Sequence, residues 1–280
     1  MSLSFSERRR QDFLSEQHWL QEVIDIPEVL SMHASGPSGA ADSEAEGWTL
    51  SLQCIARIRY EYLSLKYTAG EPIHSLRADL DAVVTAHEAA TEQLRKYERN
   101  PNAIGLDIGS FDGYCPCVAL IGLCYLLDRR DVLPRIAALL DGQDKANAGM
   151  DFLIEEFLAY APMDRYACDT LLAPNPFEPL ADAMSTDDNE AALKDLHRFL
   201  GRWYRDLAGA PWHNTHKSKG QAGYFGYWSF EAGAAVLLLG IEGDSALHSF
   251  PYYPTDLVAW AKANVRLQGD EDTSTAFARR

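Results

Sequence analysis

The chain has 280 residues, enough for one large domain or two small ones with a sizeable core, and its 47% apolar content is ordinary for a globular protein. Against 25 basic side chains stand 41 acidic ones, and the net charge of −16 argues against nucleic acid or an anionic membrane surface as a direct ligand. No basic leader precedes an apolar run and no uncharged stretch reaches bilayer-crossing length, so the expected location is the cytoplasm.

Five cysteines, an odd number with no CxxC pair, fit a reducing compartment and read as buried thiols. From the start, residues 6–26 predict a charged amphipathic helix, with Arg8, Arg9 and Arg10 as solvated helix surface. Residues 34–47, rich in Gly, Ser, Ala and Pro, predict a flexible loop. A helix over 48–67 then brings Trp48, Leu52, Ile55, Tyr62 and Leu63 close to one face and stops at Gly70. Glu71-Pro72 opens the next, whose stripe of Leu76, Leu80, Val83 and His87 marks a buried face and makes His87 a core histidine.

The Asn, Pro and Gly of residues 99–113 break this pattern. They suggest a soft boundary between an N-terminal helical domain, 1–105, and a C-terminal one, 106–267, followed by a flexible tail, 268–280. Apolar helices resume over 114–127 and 132–140. Residues 142–190 then hold eleven acidic side chains against Lys145 and Arg165, so charge is concentrated there. Helical spacing places Asp151 and Glu155 on one solvent face, and Asp187 with Glu190 resembles a capping box.

Leu193, Leu196, Leu200, Trp203 and Leu207 recur at steps of three and four and define a further helix. A loop over 209–223 leads to an apolar helix over 228–239, a capped turn at Asp244-Ser245, and a last helix from about Thr255. With no strand-like alternation, no phosphate-binding glycine motif and no repeat, the expected fold is all-α, an antiparallel multi-helix bundle.

Two histidines and a carboxylate, His213, His216 and Glu231, offer an alternative reading as a metal-dependent hydrolase. Pro211 and nearby glycines put the histidines on a loop, whereas a metalloprotease carries His-Glu-x-x-His along a helix. The preferred reading makes His213 and His216 loop ties and pairs Glu231 with a cation such as Arg202 or Arg205. No cofactor or metal is expected. The acidic stretch lacks a calcium-loop spacing and reads as a docking surface for a basic partner.

The run Gly226-Tyr227-Trp228-Ser229-Phe230-Glu231-Ala232-Gly233-Ala234, then Asp244-Ser245 and Pro251-Tyr252-Tyr253-Pro254-Thr255-Asp256-Leu257, resembles the C-terminal domain of the PoNi-type immunity proteins. Leu65-Lys66-Tyr67-Thr68-Ala69-Gly70-Glu71-Pro72-Ile73 is similar to a junction in that family's N-terminal domain. The resemblance implies a helical, non-catalytic protein encoded beside a polymorphic toxin, often one delivered by a type VI secretion system. That toxin is a DNase of the PD-(D/E)xK class, which the immunity protein binds and neutralises. Trp228, Glu231, Tyr252, Tyr253 and Pro254 read as structural determinants. A nuclease presents basic residues to phosphate, so the candidate contacts are Asp151, Glu155, Glu156, Asp187 and Asp188, with Asp107 and Asp112 in second place. A helical scaffold for some other basic protein is the remaining alternative.

Overall fold

The first turn, α1 (Phe5–Arg8), is capped by Ser4, whose hydroxyl and backbone N–H both reach the Glu7 carboxylate at 2.6 and 2.8 Å. This computed structural model describes residues 3–267. The helix expected over 6–26 does not continue past α1. Arg9 is extended (φ −61°, ψ 141°), and α2 (Glu16–Ser35) starts afresh where the Ser15 side chain accepts the His18 N–H.

The break follows from what the side chains of residues 8–11 bind. Arg10 Nη1 donates to the Tyr67 and Glu71 carbonyls at 2.6 and 3.0 Å, its Nε donates to Asp256 at 2.5 Å, and the guanidinium lies 4.4 Å from the Tyr67 ring centroid. Arg8 Nη1 donates to the Ala69 carbonyl at 2.7 Å. Gln11, only 4% exposed, donates to the Tyr227 and Pro251 carbonyls and accepts from the Tyr224 hydroxyl and the Tyr227 N–H. The arginine run is therefore a clamp, not solvated helix surface.

The loop expected over 34–47 is shorter, because α2 runs to Ser35 and Ser43 caps α3 (Glu44–Thr68) by accepting the Glu46 N–H. After a four-residue turn, α4 (Ile73–Glu98) packs back along α3, burying Leu76, Leu80, Val83 and Val84. His87 is half-buried on the same stripe, and burial pushes its pKa down to about 4.

The central helix, α5 (Phe111–Leu126), is buried continuously from Cys117 onwards. Around it lie α6 (Leu133–Asp141), α7 (Phe152–Ala159), α8 (Pro174–Met184) and α9 (Asn189–Asp206), followed by α10 (Phe230–Leu238) and α11 (Thr255–Asn264). Helices α5 and α10 approach closely at Gly122, where a Cβ would lie 2.9 Å from the Phe230 carbonyl oxygen. The described residues contain helices and turns without strands, as an all-α bundle requires.

One buried cluster joins Leu14, Tyr67 and Leu80 to Tyr114, Leu123, Trp203 and Leu257, and includes Leu106 and Ile108 beside the expected 105/106 boundary. The tail expected over 268–280 lies outside the described residues. Replacing Gln11 with Ala orphans buried polar groups on the 224–227 segment and should cost about 2–3 kcal/mol in urea unfolding. Because its partners lie in the other half of the chain, tryptophan fluorescence and far-UV circular dichroism should trace a single coincident transition. Two separated transitions would show halves that fold independently.

Candidate functional site

The acidic stretch divides by environment into groups that hold the fold and groups that face solvent. Arg165 sits between two carboxylates, with its Nη1 and Nη2 donating to Asp141 at 2.7 and 2.9 Å, and its Nε and Nη2 donating to Glu155 at 2.8 Å each. Glu155 also accepts the backbone N–H groups of Gly149 and Tyr166, and is 6% exposed. Asp151, 1% exposed, caps α7 through the Ile154 N–H and accepts from the Tyr114 hydroxyl and the Leu172 N–H.

The solvent face expected for Asp151 and Glu155 is thus absent. Helix α7 has eight residues and buries Leu153, Ile154, Phe157 and Leu158 together with Glu155, so it is covered on several sides. Both carboxylates fasten the 142–173 loops to the core; Arg165 supplies Glu155 with the compensating charge that burial demands, whereas Asp151 is held by neutral donors.

Glu156 is half-buried, whereas Asp187 and Asp188 are exposed. The cap of α9 is Asp188, which accepts the Glu190 and Ala191 N–H groups, so the capping role falls one residue later than the expected Asp187–Glu190 box. Asp182 and Glu190 are neutralised by Arg198 and Lys194 from α9. Asp144, Asp164, Asp169 and Glu178 are also exposed, and like Asp187 and Asp188 they form no ion pair among the described residues.

Asp107 and Asp112, both exposed, stand elsewhere, at a cleft of about 530 Å³. Its walls come from α3, α4, the 105–116 segment and the 211–225 loop, and Tyr60, Trp212 and Phe225 form an aromatic part of the lining. Glu61 joins the two aspartates and is held by Arg57 at 2.9 Å. The sequence offers Asp107 and Asp112 as second-place contacts, but not the cleft that sets them beside Tyr60, Trp212 and Phe225. The signals of the cleft were scattered over four segments, and only topology brings them together.

The same three aromatic residues also border a recess of about 30 Å³ that reaches Glu231. The Glu231 carboxylate is buried and accepts from Trp203 Nε1 and Ser229 Oγ at 2.8 Å each, so its expected pairing with Arg202 or Arg205 does not occur. Burial raises its pKa to about 7 against the pull of these hydrogen bonds. Arg202 and Arg205 instead bind Asp206.

His213 stacks on Tyr204 with centroids 4.2 Å apart, and His216 Nδ1 lies 2.8 Å from the Tyr227 hydroxyl. Neither histidine is a hydrogen-bond partner of Glu231, and no group of three His, Cys, Asp or Glu side chains among the described residues is placed to hold a metal. Nor is any described helix long and apolar enough to cross a membrane.

Among the motif residues, Trp228 precedes α10 instead of sharing it with Glu231, and its Nε1 donates to Thr68 Oγ1 at 2.8 Å. Tyr252 stacks on Tyr204, the Tyr253 hydroxyl donates to Asp244, and Pro254 is the N-cap of α11.

Residues 149–257 match the family model described as PoNe immunity proteins (PoNi), C-terminal. Over this span the chain is similar to an immunity-protein family. The matched span contains α7 to α10 and the Tyr252-Tyr253-Pro254 turn. The crystal structure of protein PA2201 from Pseudomonas aeruginosa shares the fold, with a TM-score of 0.70 at 20% identity over 91% of each chain. No curated protein matches.

Two substitutions separate holding from facing. Glu155→Gln leaves Arg165 undercompensated in the interior and should lower unfolding free energy by about 3 kcal/mol, whereas Glu156→Gln should change it by less than about 0.5 kcal/mol. Equal effects in urea titrations would contradict this division. Glu231 has a folded pKa above its unfolded value, so its favourable contribution is full below about 4.5 and is lost as pH rises through about 7. Glu231→Gln should therefore reduce the stability lost between pH 5 and pH 8 by about 3 kcal/mol relative to the wild type. His87 has the opposite sign, losing stability as pH falls from about 6.5 through about 4, and cancels in that comparison.

Proposed function

We propose that this chain is an immunity protein that binds a cognate nuclease toxin and neutralises it by protein contact, without catalysis or cofactor. The observation that carries the reading is the match of residues 149–257 to the PoNe immunity proteins. The charge distribution supports a basic partner, since a nuclease must present cations to phosphate and carboxylates complement that surface.

Glu156, Asp187 and Asp188, together with Asp107 and Asp112 at the cleft, are the contacts proposed. Asp151 and Glu155 are committed to internal hydrogen bonds. Such charges accelerate encounter and select the partner, while affinity comes from a few desolvated anchors.

Co-expression with the toxin encoded beside it should restore growth of a host that the toxin alone kills, and the two proteins should co-purify. Failure of both would remove the reading. In the purified complex, the double reversal Glu156→Lys and Asp187→Lys should slow association about tenfold at low salt with little change in dissociation. The deficit should shrink as ionic strength rises and the Debye length falls. An unchanged association rate would move the interface away from these two residues.

A further inference from the structure

We propose that the cleft walled by α3, α4, the 105–116 segment and the 211–225 loop receives an arginine side chain projecting from the partner protein. The proposal rests on the binding role above and names the chemistry of one contact within it.

The cleft joins two properties that a guanidinium uses together. Tyr60, Trp212 and Phe225 bring aromatic surface to the lining, and Asp107 and Asp112 bring carboxylates that no cation of the chain pairs with among the described residues. A planar cation can stack on an aromatic ring while its edge N–H groups bind a carboxylate, a combination that a compact ammonium serves less well. The volume of about 530 Å³ exceeds one side chain, so it admits the tip of a loop that carries the arginine.

The balance of charge in the cleft also favours a cation. The lining includes three acidic residues and one arginine, and because Arg57 and Glu61 bind each other at 2.9 and 3.0 Å, Asp107 and Asp112 are the surplus charge. His87, the remaining basic group of the lining, stays uncharged at neutral pH because burial depresses its pKa to about 4. Burial also raises the Tyr60 phenol, so it stays protonated. An anionic ligand would meet Asp107 and Asp112 without a free cation among the lining residues to receive it.

Asp107 and the segment that carries it are set in place before any partner arrives. At Gly105 a Cβ would come within 1.7 Å of Thr91 Oγ1, and at Gly113 within 2.0 Å of the Asp107 carbonyl oxygen. The segment that carries Asp107 is thus pressed against α4 at one end and folded on the first turn of α5 at the other. Asp107 accepts the Gly109 N–H at 3.2 Å, which fixes its side chain further. Preorganised charge of this kind reduces the ordering cost of binding.

The test uses the full chain, labelled with ¹⁵N, and the Trp212 indole N–H resonance, assigned by its absence from the Trp212→Phe spectrum. The probes are a capped Gly-Arg-Gly peptide and its citrulline counterpart, which keeps the shape and loses the charge. At low salt the arginine peptide should move the Trp212 resonance and bind about tenfold more tightly than the citrulline peptide.

The double variant Asp107→Asn and Asp112→Asn should weaken the arginine peptide about tenfold with an unchanged circular dichroism spectrum, since both residues are exposed and Asn keeps the oxygen that accepts the Gly109 N–H. A Trp212 resonance that stays still, or responds equally to both peptides, overturns the proposal. Co-expression rescue by the wild type reports the immunity role separately. Rescue with a silent Trp212 removes the arginine site alone, and a responsive Trp212 without rescue retains the site and removes the role.

Discussion

The joint between the N-terminal segment, the end of α3 and the start of α11 governs everything built around it. Asp256, in the first turn of α11, is bound by the Tyr67 hydroxyl and by Arg10. As an ion pair this is worth little, because the Asp256 side chain is about half exposed. Its strength lies in what Arg10 and Gln11 do besides, since Arg10 donates to the Tyr67 and Glu71 carbonyls and Gln11 to the Tyr227 and Pro251 carbonyls. Thr68 completes the joint by donating to the Phe225 carbonyl while accepting from Trp228 Nε1. Gly226, at φ +107°, lets the backbone pass so close to Thr68 that a Cβ there would lie 2.0 Å from its hydroxyl.

Those contacts give the sequence motifs a common physical meaning. Tyr67 and Thr68 of the Leu65–Ile73 run, Trp228 of the second run and Asp256 of the third are separate in the chain and adjacent in space. They close one hydrogen-bonded seam. A seam of this kind tolerates few substitutions, because each side chain answers a fixed backbone group, and it leaves the exposed surface free to vary. Charge on that surface can then be matched to a partner without disturbing the fold.

What could be read from the sequence was periodic. Leu76, Leu80 and Val83, or Leu196, Leu200 and Trp203, declare a buried face by their spacing, and the structure buries them. Periodicity identifies a face but not its neighbour. Arg165 is ten residues from Glu155 and 24 from Asp141, so their triad could not be inferred from spacing, and two buried carboxylates looked like part of a solvent-exposed run. The arginines at 8–10 misled for the same reason, since helix-compatible residues were claimed by distant carbonyls. The cleft was less legible still, because α3, α4, α5 and a loop each contribute a few of its lining residues.

That composite origin has a thermodynamic consequence. The wall formed by Tyr60 and Glu61 belongs to α3, and the wall formed by Trp212 and Phe225 belongs to a loop held in place by the Gln11 and Thr68 hydrogen bonds. Unfolding either side disassembles the cleft, so a partner seated there binds the folded chain alone and stabilises it in proportion to its occupancy. The buried acids and the exposed ones therefore act at different stages of one process. Asp151, Glu155 and Glu231 spend their hydrogen-bonding capacity on loops and helix ends, which fixes the mounting. Asp107 reaches solvent from that mounting with its side chain already restricted by the Gly109 N–H, and restricted charge loses less entropy when a cation arrives than charge on a mobile loop.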